Sequence, residues 1–519
     1  MYDLIIKNGN IIDGTGKDGY ISDIAIDGGK IKCIGKNLDG AKQTIDASGL
    51  TVTPGFIDSH SHSDHSILTF PDQKEKIEQG ITTSIGGQCG GSPAPISRDI
   101  TPEKAEDVAG FGKNTDVYKT MGSFLDIAKD VPLGANITQF VGHGNLRKAV
   151  MGMENRKPTD EELEKMKALL REGMDAGAHG ASFGLIYPPS CYAKTPELIE
   201  IAKVVAEYGG IVAAHIRNEG YKVIESVAEF IEIIRQSGAR GVISHHKSAR
   251  KPNWGKVNTT LKMIDAANAE GLDIYCDVYP YIASNTSASA TFIPKELHTG
   301  GADGIVKLLS DPKERAKIKE TELAIHGLDL SWVLVAQCVS HPEYCGMFLN
   351  DIAKQQGKDQ LETIFDLIMD SRNSCSCCYF TMREEDMEAV LAHPRAMVGT
   401  DSNVARNLTF YHPRLRGTFP RVLGRYVRER KVTSLPEMIR KMTSLPAHVY
   451  KLASKGQICE GFDADLCIFD ADKIIDRADY TDPHARAEGL NYVILGGEVV
   501  VENAVHNGKR AGRVILKSF

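Results

Sequence analysis

Residues 181–280 contain four apolar, strand-like runs: ASFGLI begins at Ala181, GIVAAH at Gly210, GVISHH at Gly241 and LDIYCDVY at Leu272. The runs start about 30 residues apart, which is the size of one βαβ unit, and helical patterns fill the gaps. The runs are apolar nearly throughout, as is typical of parallel strands that are buried on both faces. This alternation predicts either a (β/α)8 barrel or a doubly wound sheet.

The two ends of the chain have a different pattern. Short apolar runs are separated there by turn pairs such as Asn8-Gly9, which predicts antiparallel hairpins. We therefore expect one small β-sandwich domain built from both termini around an α/β middle. The expected division is a first β-sandwich part at 1–54, a barrel at 55–450 with an insertion at about 288–345, and a second β-sandwich part at 451–519.

The composition of the 519 residues is that of a globular protein. Hydrophobic residues make up 42% and charged residues 25%, which excludes a fibrous or largely disordered chain. A net charge of −7 without a basic stripe argues against nucleic-acid binding, and the short apolar runs argue against a membrane span. The first residues lack the features of a secretory signal, and an odd number of cysteines, 11, favours reduced thiols. We therefore expect a cytoplasmic protein.

Two histidines follow the first apolar run of the middle region, in the segment GFIDSHSH at residues 55–62. On a strand, residues i and i+2 point to the same side, so His60 and His62 can reach one metal ion together. A His-x-His pair alone is as easily two surface histidines. The position of this pair after a buried strand favours a metal site, because barrel enzymes place their sites at the carboxyl ends of the strands.

Cys89 follows the next strand-like run, residues 81–85, and has glycines on both sides. The glycines leave the sulfur sterically open and let the backbone bend sharply, which favours a ligand over a buried structural cysteine. A second cluster, Cys375-Ser376-Cys377-Cys378, has no other cysteine or histidine pair with zinc-site spacing nearby. Its cysteines are expected to lie in a buried strand.

Later strand-like runs end in further side chains that bind metals. His215 and His245 end two successive βα units, so in a barrel their imidazoles would be neighbours. Asp401 ends the run that begins at Ala396. An aspartate at a strand end is usually a helix N-cap, but beside a metal it can take a proton from water.

Histidine, cysteine and carboxylate ligands together are typical of Zn²⁺. A zinc site with an open position lowers the pKa of bound water to about 7 and so supplies hydroxide. The sequence therefore predicts a zinc-dependent hydrolase that acts on an amide-like bond.

The same segments resemble the N-acyl-D-amino-acid deacylases (D-aminoacylases) of the metal-dependent amidohydrolase superfamily, over nearly the whole chain. The segments LIIKNG at 4–9 and PGFID at 54–58 are features of the superfamily. The narrower matches are the glycine-flanked Cys89, GLIYPP at 184–189, HIRNEG at 215–220, SHHK at 244–247, DVYPY at 277–281, HPRL at 412–415 and GTFPR at 417–421.

The resemblance implies a (β/α)8 TIM barrel with a β-sandwich from both termini, and a particular set of metal ligands. One tight Zn²⁺ would be held by Cys89, His215 and His245. His60 and His62 match a second site that is often weak or only partly filled, with Cys89 able to bridge. The cysteine stands where other superfamily members use a carboxylated lysine.

The resemblance also implies roles in turnover of an N-acyl-D-amino acid. Asp401 matches the general acid/base. Lys247, Arg414 and Tyr187 match groups that bind the α-carboxylate of the substrate, and Tyr279 is a further candidate for substrate binding. A cation, a planar guanidinium and a phenol are a suitable set of donors for a carboxylate.

Some positions and alternatives stay open. Gln88 stands where the family often has asparagine, and Asn285 stands where it often has a hydroxyl residue, so both bear on fine specificity. His143, in the segment GHGN, is either an oxyanion or substrate contact or a turn histidine. A cyclic amidase such as a dihydropyrimidinase or dihydroorotase is the main alternative, although those enzymes normally use lysine where this chain has Cys89. A non-catalytic scaffold would have lost ligands that are all present here. The sequence leaves open the preferred side chain, the acyl group, the filling of the second metal site and the oligomeric state.

Overall fold

The computed structural model describes residues 1–98, 118–404 and 408–517. Within these residues the strands form an eight-stranded, a nine-stranded and a three-stranded sheet. The strands are β1 (Tyr2–Ile11), β2 (Tyr20–Asp27), β3 (Lys30–Gly35), β4 (Ala41–Asp46), β5 (Thr51–Pro54), β6 (Phe56–Asp58), β7 (Ile81–Gly86), β8 (Asn136–Gly142), β9 (Gly180–Gly184), β10 (Ile211–His215), β11 (Arg240–Ile243), β12 (Ile274–Val278), β13 (Ser284–Ser287), β14 (Val333–Gln337), β15 (Ser376–Tyr379), β16 (Ala396–Val398), β17 (Leu466–Phe469), β18 (Leu490–Leu495), β19 (Glu498–Glu502) and β20 (Val505–His506).

Helices cover the faces and edges of these sheets. Those in the described residues are α1 (Lys74–Ile77), α2 (Met121–Ala128), α3 (His143–Met151), α4 (Asp160–Asp175), α5 (Thr195–Glu207), α6 (Val223–Ser237), α7 (Val257–Ala269), α8 (Ala288–Phe292), α9 (Gly301–Ser310), α10 (Pro312–His326), α11 (Leu349–Gln356), α12 (Gln360–Asp370), α13 (Glu384–Ala392), α14 (Arg414–Arg421), α15 (Leu435–Met442) and α16 (Ser444–Val449). A π-helical segment, Val422–Glu429, continues α14.

The eight-stranded sheet is parallel and closes into a barrel. Its order is β6, β7, β8, β9, β10, β11, β12 and β16. The last and first strands meet where the Ser59 N–H donates to the carbonyl of Val398 (3.1 Å) and the Asp401 N–H donates to that of His60 (2.8 Å). This closure decides between the two architectures that the sequence left open, and the predicted barrel is confirmed.

The barrel strands are apolar on both sides, as the sequence predicted. In β10, Ile211 and Ala213 point into the barrel interior, where they join Phe140 of β8 and Met397 of β16. The alternate residues of β10 belong to the larger core between the strands and the surrounding helices. A parallel barrel buries both faces of every strand, so near-continuous apolar runs are required.

The nine-stranded sheet is mixed and joins the two ends of the chain. Its path runs β20, β19, β18, β17, β5, β1, β2 and β3, with β4 paired to β1. β5 makes the junction, because it pairs parallel with β1 and antiparallel with β17. The expectation that both termini build one β-region is confirmed, while the division of the chain at residues 54 and 450 stays a prediction.

The insertion lies between β12 and β16 and has its own sheet and core. β15 pairs antiparallel with both β13 and β14, and Phe292, Val335 and Phe365 lie in the surrounding apolar core. Its described elements reach Tyr379, well beyond the expected end at about residue 345. In sequence, the helix α12 followed by the strand β15 resembles a further unit of the barrel, but β15 belongs to the separate three-stranded sheet. Cys377 and Cys378 are buried in β15, as predicted.

No described helix has the length and apolar character needed to cross a membrane.

Candidate metal centre

Metal-binding side chains meet at the carboxyl edge of the barrel. The Cys89 sulfur lies 3.3 Å from Nε2 of His60, 3.3 Å from Nε2 of His245 and 3.8 Å from Nδ1 of His215. One ligand atom from each of His60, Cys89, His245 and Asp401 falls within 4.8 Å of the others. The structure therefore brings together side chains that the sequence placed at the ends of five different strands.

Sharp backbone bends aim several of these side chains. Cys89, His245 and Asp401 have φ angles of +53°, +36° and +50°, a region that residues with side chains rarely adopt. The glycines beside the cysteine allow the close packing this needs. A Cβ added to Gly90 would lie 2.5 Å from the backbone nitrogen of Gly184. The segment around Cys89 therefore accepts only glycine at that position without movement of β9.

Two carboxylates contact the histidine ring nitrogens that face away from the Cys89 sulfur. Glu219 Oε1 lies 3.0 Å from Nδ1 of His245, and its other oxygen lies 3.6 Å from Nε2 of His215. Asp277 Oδ1 lies 3.4 Å from Nδ1 of His60. Such carboxylates orient metal-binding imidazoles and raise their basicity. The sequence reasoning missed both roles, although Glu219 lies four residues after His215 and Asp277 is a charged residue in an apolar strand.

The histidines of the cluster favour the thiolate form of Cys89. Burial alone would raise the pKa of the Cys89 thiol, but the neighbouring His60 and His245 bring it well below its ordinary value. Burial would likewise raise the pKa of Asp401, but Arg414 and His245 hold it well below the usual range. The surroundings therefore favour the ionised form of both groups, which is the form that binds metals and accepts protons.

The donor set fits zinc. A thiolate sulfur, imidazole nitrogens and a carboxylate oxygen are ligands that Zn²⁺ takes in proteins, and soft sulfur disfavours Mg²⁺ and Ca²⁺. His62 lies beside this set, with Nε2 3.1 Å from Oδ1 of Asp401. His60 Nε2 lies 3.5 Å from the same oxygen, so His60 and His62 share Asp401 as a neighbour.

A cavity of about 380 Å³ opens beside Cys89 and Asp401. The barrel contributes Tyr187 and Arg414 to its lining, and the insertion contributes other polar side chains. Those from the insertion are Asn285, Thr286, Ser287, Gln337 and Ser376. The cavity is therefore walled by two parts of the chain, and no pattern in the sequence assigned Gln337 or Ser376 to it.

Of the three residues predicted to bind the substrate carboxylate, Arg414 and Tyr187 line the cavity and Lys247 lies outside its lining. Arg414 donates from Nη1 to Oδ2 of Asp401 (2.8 Å), and the hydroxyl of Tyr187 lies 3.0 Å from that of Thr286. Lys247 is not part of the cavity lining among the described residues; its ammonium donates to Glu219 (2.6 Å) and lies 2.7 Å from Nδ1 of His245.

Tyr279 lies between Lys247 and Arg414. Its ring centre lies 5.4 Å from the Lys247 ammonium and 5.0 Å from the Arg414 guanidinium. Its hydroxyl is buried without a hydrogen-bond partner among the described residues. A buried hydroxyl in this state is costly, so a ligand that accepts its hydrogen bond would be favoured.

His143 is not brought to the cavity. Its Nδ1 lies 2.7 Å from the Ser190 hydroxyl and its Nε2 lies 3.0 Å from Glu197. The same glutamate also accepts two hydrogen bonds of 2.7 Å from the buried Arg147. Both ring nitrogens of His143 are occupied, so of the two alternatives that the sequence left open the geometry favours a structural histidine over an oxyanion or substrate contact.

Asn285 is one of the two positions at which the chain departs from the family pattern. It lines the cavity, and its backbone carbonyl accepts a hydrogen bond of 3.4 Å from Arg414. Its amide nitrogen lies 3.5 Å from the Cys378 sulfur. Gln88 also lines the cavity, and its Oε1 is buried without a partner in the described chain.

A closed parallel barrel with a thiolate and histidines at its carboxyl edge defines a metal-dependent hydrolase of the amidohydrolase class. The amidohydrolase family model matches residues 43–501, and the chain belongs to that family. Within the family it falls in the branch of the D-aminoacylases and N-acyl-D-amino-acid deacylases.

Full-length relatives support this placement. The chain is 34% identical over 518 residues to the D-aminoacylase of Alcaligenes xylosoxydans xylosoxydans, covering 100% of this chain and 98% of the relative. It is 34% identical over 520 residues to the N-acyl-D-glutamate deacylase of the same organism, covering 99% and 96%. A crystal structure of the N-acyl-D-glutamate deacylase from Bordetella bronchiseptica, with zinc and a phosphonate mimic of the tetrahedral intermediate, superposes with a TM-score of 0.84 at 33% identity and covers 100% of both chains.

Proposed function

We propose that this protein uses zinc to hydrolyse the amide bond of N-acyl-D-amino acids, releasing a carboxylate and a free D-amino acid. The observation that carries the proposal is the position of Cys89 among three imidazoles at the floor of a cavity that also contains Arg414. Similarity to deacylases of D-amino acids over the full chain supports the choice of substrate. The D preference comes from these relatives and not from any distance in the site.

Cys89, His215 and His245 are the proposed ligands of one tight zinc ion. His60 and His62 are the proposed ligands of a second, weaker site, with Cys89 placed to bridge the two. Bound zinc supplies a Lewis acid that activates water and polarises the acyl carbonyl. Glu219 and Asp277 keep the imidazoles oriented for this purpose, because they lie within 3.6 Å of the ring nitrogens that face away from the sulfur.

Asp401 is the proposed general acid/base. Its low pKa keeps it ionised at neutral pH, so it can accept the proton of the attacking water. It then returns this proton to the nitrogen of the leaving D-amino acid. Contacts with His62 (3.1 Å) and Arg414 (2.8 Å) hold its two oxygens in fixed directions.

The α-carboxylate of the substrate is proposed to bind at the cationic corner formed by Arg414, Tyr187, Tyr279 and Lys247. The guanidinium matches a carboxylate as a planar pair of donors. A substrate carboxylate there shares Arg414 with Asp401, and the free hydroxyl of Tyr279 gains a partner. The role of Lys247 requires its ammonium to divide its hydrogen bonds between Glu219 and the substrate.

The test is a substrate panel on zinc-loaded protein: N-acetyl-D-methionine, N-acetyl-D-glutamate, N-acetyl-L-methionine and dihydrouracil. We expect amino acid to be released from one or both D substrates and not from the L substrate. Comparing methionine with glutamate shows which side chain is preferred. Activity on dihydrouracil alone would indicate a cyclic amidase, and no activity on any of the four would contradict the proposal.

A further inference from the structure

A buried lysine lies beneath the turn that carries Asp401. Lys76, in α1, is fully buried, and its ammonium contacts Asp58 at 2.9 Å. It also donates to the Thr400 hydroxyl (2.5 Å), the Ser402 hydroxyl (2.8 Å) and the Ser402 carbonyl (3.2 Å). Thr400 and Ser402 are the two residues that flank Asp401 in the chain. Lys76 thus holds the turn on both sides of the proposed general acid/base.

The same network reaches the strand end that carries the first two histidines. Asp58 accepts hydrogen bonds from the backbone N–H groups of Thr400 (2.7 Å) and His60 (3.3 Å). Its second oxygen accepts from the Thr400 hydroxyl (2.7 Å) as well as from Lys76. One carboxylate and one ammonium therefore tie the turn after β16 to the turn after β6.

The donors of the Lys76 ammonium are all used by neighbouring groups of the protein. An ammonium has three donors, and here four oxygen acceptors lie within 3.2 Å of it. No donor is left for a substrate, and the side chain is completely buried. Lys76 therefore acts through its neighbours. The backbone of Asp401 stays at a φ of +50°, a strained value that persists only when surrounding contacts enforce it.

We propose that Lys76 is a positioning residue for hydrolysis: with Asp58 and Thr400, it holds the Asp401 carboxylate at His62 and Arg414. This inference rests on the role proposed for Asp401 above. It assigns a function to a residue that does not itself line the cavity and does not contact the sulfur and nitrogen ligands.

The first part of the test is kinetic. Lys76→Met removes the ammonium, and Thr400→Val removes only one hydroxyl at nearly the same volume. Each is expected to lower kcat on the order of 10- to 100-fold, because a displacement of about 1 Å at a reacting group costs that much. KM and zinc content should stay within about 2-fold of the wild type. Thr400→Ser keeps the hydroxyl and is expected to restore most of kcat.

Lys441→Met is the matched control. Lys441 is also fully buried, but its ammonium bonds the carbonyl of Leu391 and has no part in the Asp58 network. Its loss should leave kcat near that of the wild type. A similar fall of kcat in Lys441→Met and Lys76→Met would overturn the proposal, since loss of any buried lysine would then suffice. Wild-type kcat in both Lys76→Met and Thr400→Val would also overturn it. If Lys76→Met does not fold, because Asp58 is then buried without its charged partner, Thr400→Val alone decides.

The second part is structural and does not depend on turnover. In a crystal structure of Thr400→Val, we expect Asp401 to leave its left-handed conformation and its oxygen to move away from His62. An unchanged φ and an unchanged distance of 3.1 Å would overturn the proposal. If the wild type hydrolyses none of the panel substrates, the proposed function fails, and this structure still decides the role of Lys76.

Discussion

At the residue scale, the site depends on side chains that sit on strained backbone. Cys89, His245 and Asp401 all have positive φ angles, and each such residue costs on the order of 1–3 kcal/mol. The strain persists because glycines give Cys89 room and because Asp58 and Lys76 hold the Asp401 turn. These backbone bends orient the three side chains so that their donor atoms point into the same small volume.

Replacement of Asp401 by asparagine tests the chemistry at this scale. Asp401→Asn keeps the shape and the hydrogen bond to Arg414 but cannot accept a proton. We expect kcat to fall by about 10²- to 10⁴-fold, the usual contribution of general acid–base catalysis. Zinc content should be unchanged, since Cys89, His215 and His245 remain. The measurement is steady-state kinetics together with metal analysis.

Two results would contradict this role. Near-normal kcat in Asp401→Asn would show that another group moves the proton. Loss of zinc together with activity would show that Asp401 is first of all a ligand.

A second residue-scale prediction concerns acid stability. His179 is buried before β9, and burial lowers its pKa to about 3, below the value of about 6.5 that it has in an unfolded chain. The folded state therefore disfavours protonated His179. Its contribution to stability is complete above pH 6.5 and is lost as the pH falls from there towards 3. Over this range the free energy of unfolding falls by up to about 1.4 kcal/mol per pH unit.

His179→Gln removes this proton uptake. The melting temperature of the variant should fall less steeply between pH 6.5 and pH 4.5 than that of the wild type, as followed by differential scanning fluorimetry. Parallel curves for the two proteins would show that His179 does not set the acid limit.

At the element scale, the segments after β7, β8 and β9 interlock through backbone contacts. A Cβ on Gly184 would lie 2.0 Å from the carbonyl oxygen of Cys89, and one on Gly142 would lie 2.6 Å from that of Gly90. Three neighbouring strand ends therefore approach one another more closely than side chains allow. This packing sets the height of the Cys89 sulfur above the barrel.

Gly90→Ala tests this interlock, and Gly91→Ala is its matched control. Gly90 has a φ of +74° and a blocked Cβ position, whereas a Cβ on Gly91 meets nothing closer than 3.7 Å. We expect Gly90→Ala to lose more than about 1 kcal/mol of stability and part of its zinc, because both the backbone angle and the neighbouring strand must change. Gly91→Ala should match the wild type in melting temperature and zinc content. Equal behaviour of the two variants would show that the close approach is not needed.

At the scale of the whole molecule, the cavity lies between two parts of the chain, the barrel and the insertion, each of which has its own sheet. The barrel supplies the candidate metal ligands, and the insertion supplies a wall of the cavity through Asn285, Gln337 and Ser376. The terminal sheet adds no residue to the described lining. The cavity beside Cys89 therefore depends on the packing of the insertion sheet against the barrel.

Removal of the metal should weaken the whole molecule. A ligand that binds only the folded state stabilises it by about 2.7 kcal/mol at 100 times its dissociation constant, and the donor atoms here come from several strands. We expect chelator-treated protein to melt several degrees lower and to be inactive, with both properties restored by one equivalent of zinc. The measurement is a melting curve at fixed protein and zinc concentrations.

The control for this prediction is Cys89→Ser, which should show a much smaller shift on addition of zinc. An equal shift in the variant and the wild type would mean that the stabilising ion binds elsewhere.

The sequence alone indicated most of the barrel strands and the main candidate ligands, because these depend on local patterns, but it did not identify β8. Apolar runs at a steady spacing are set by burial on both faces, and each run ends in the residue that reaches the edge. His60, Cys89, His215, His245 and Asp401 could therefore be identified one strand at a time. The resemblance added the roles of Arg414 and Tyr187 in the same way, by position.

Only the tertiary structure decided which distant groups touch. Lys76 and Ser402 are 326 residues apart, and no local pattern links them. The same holds for the partners of His143, which remove it from the cavity, and for the pairing of β15, which extends the insertion to Tyr379. Periodicity reports what one segment buries, whereas contacts between segments depend on how the layers pack, and the packing sets the geometry at Asp401.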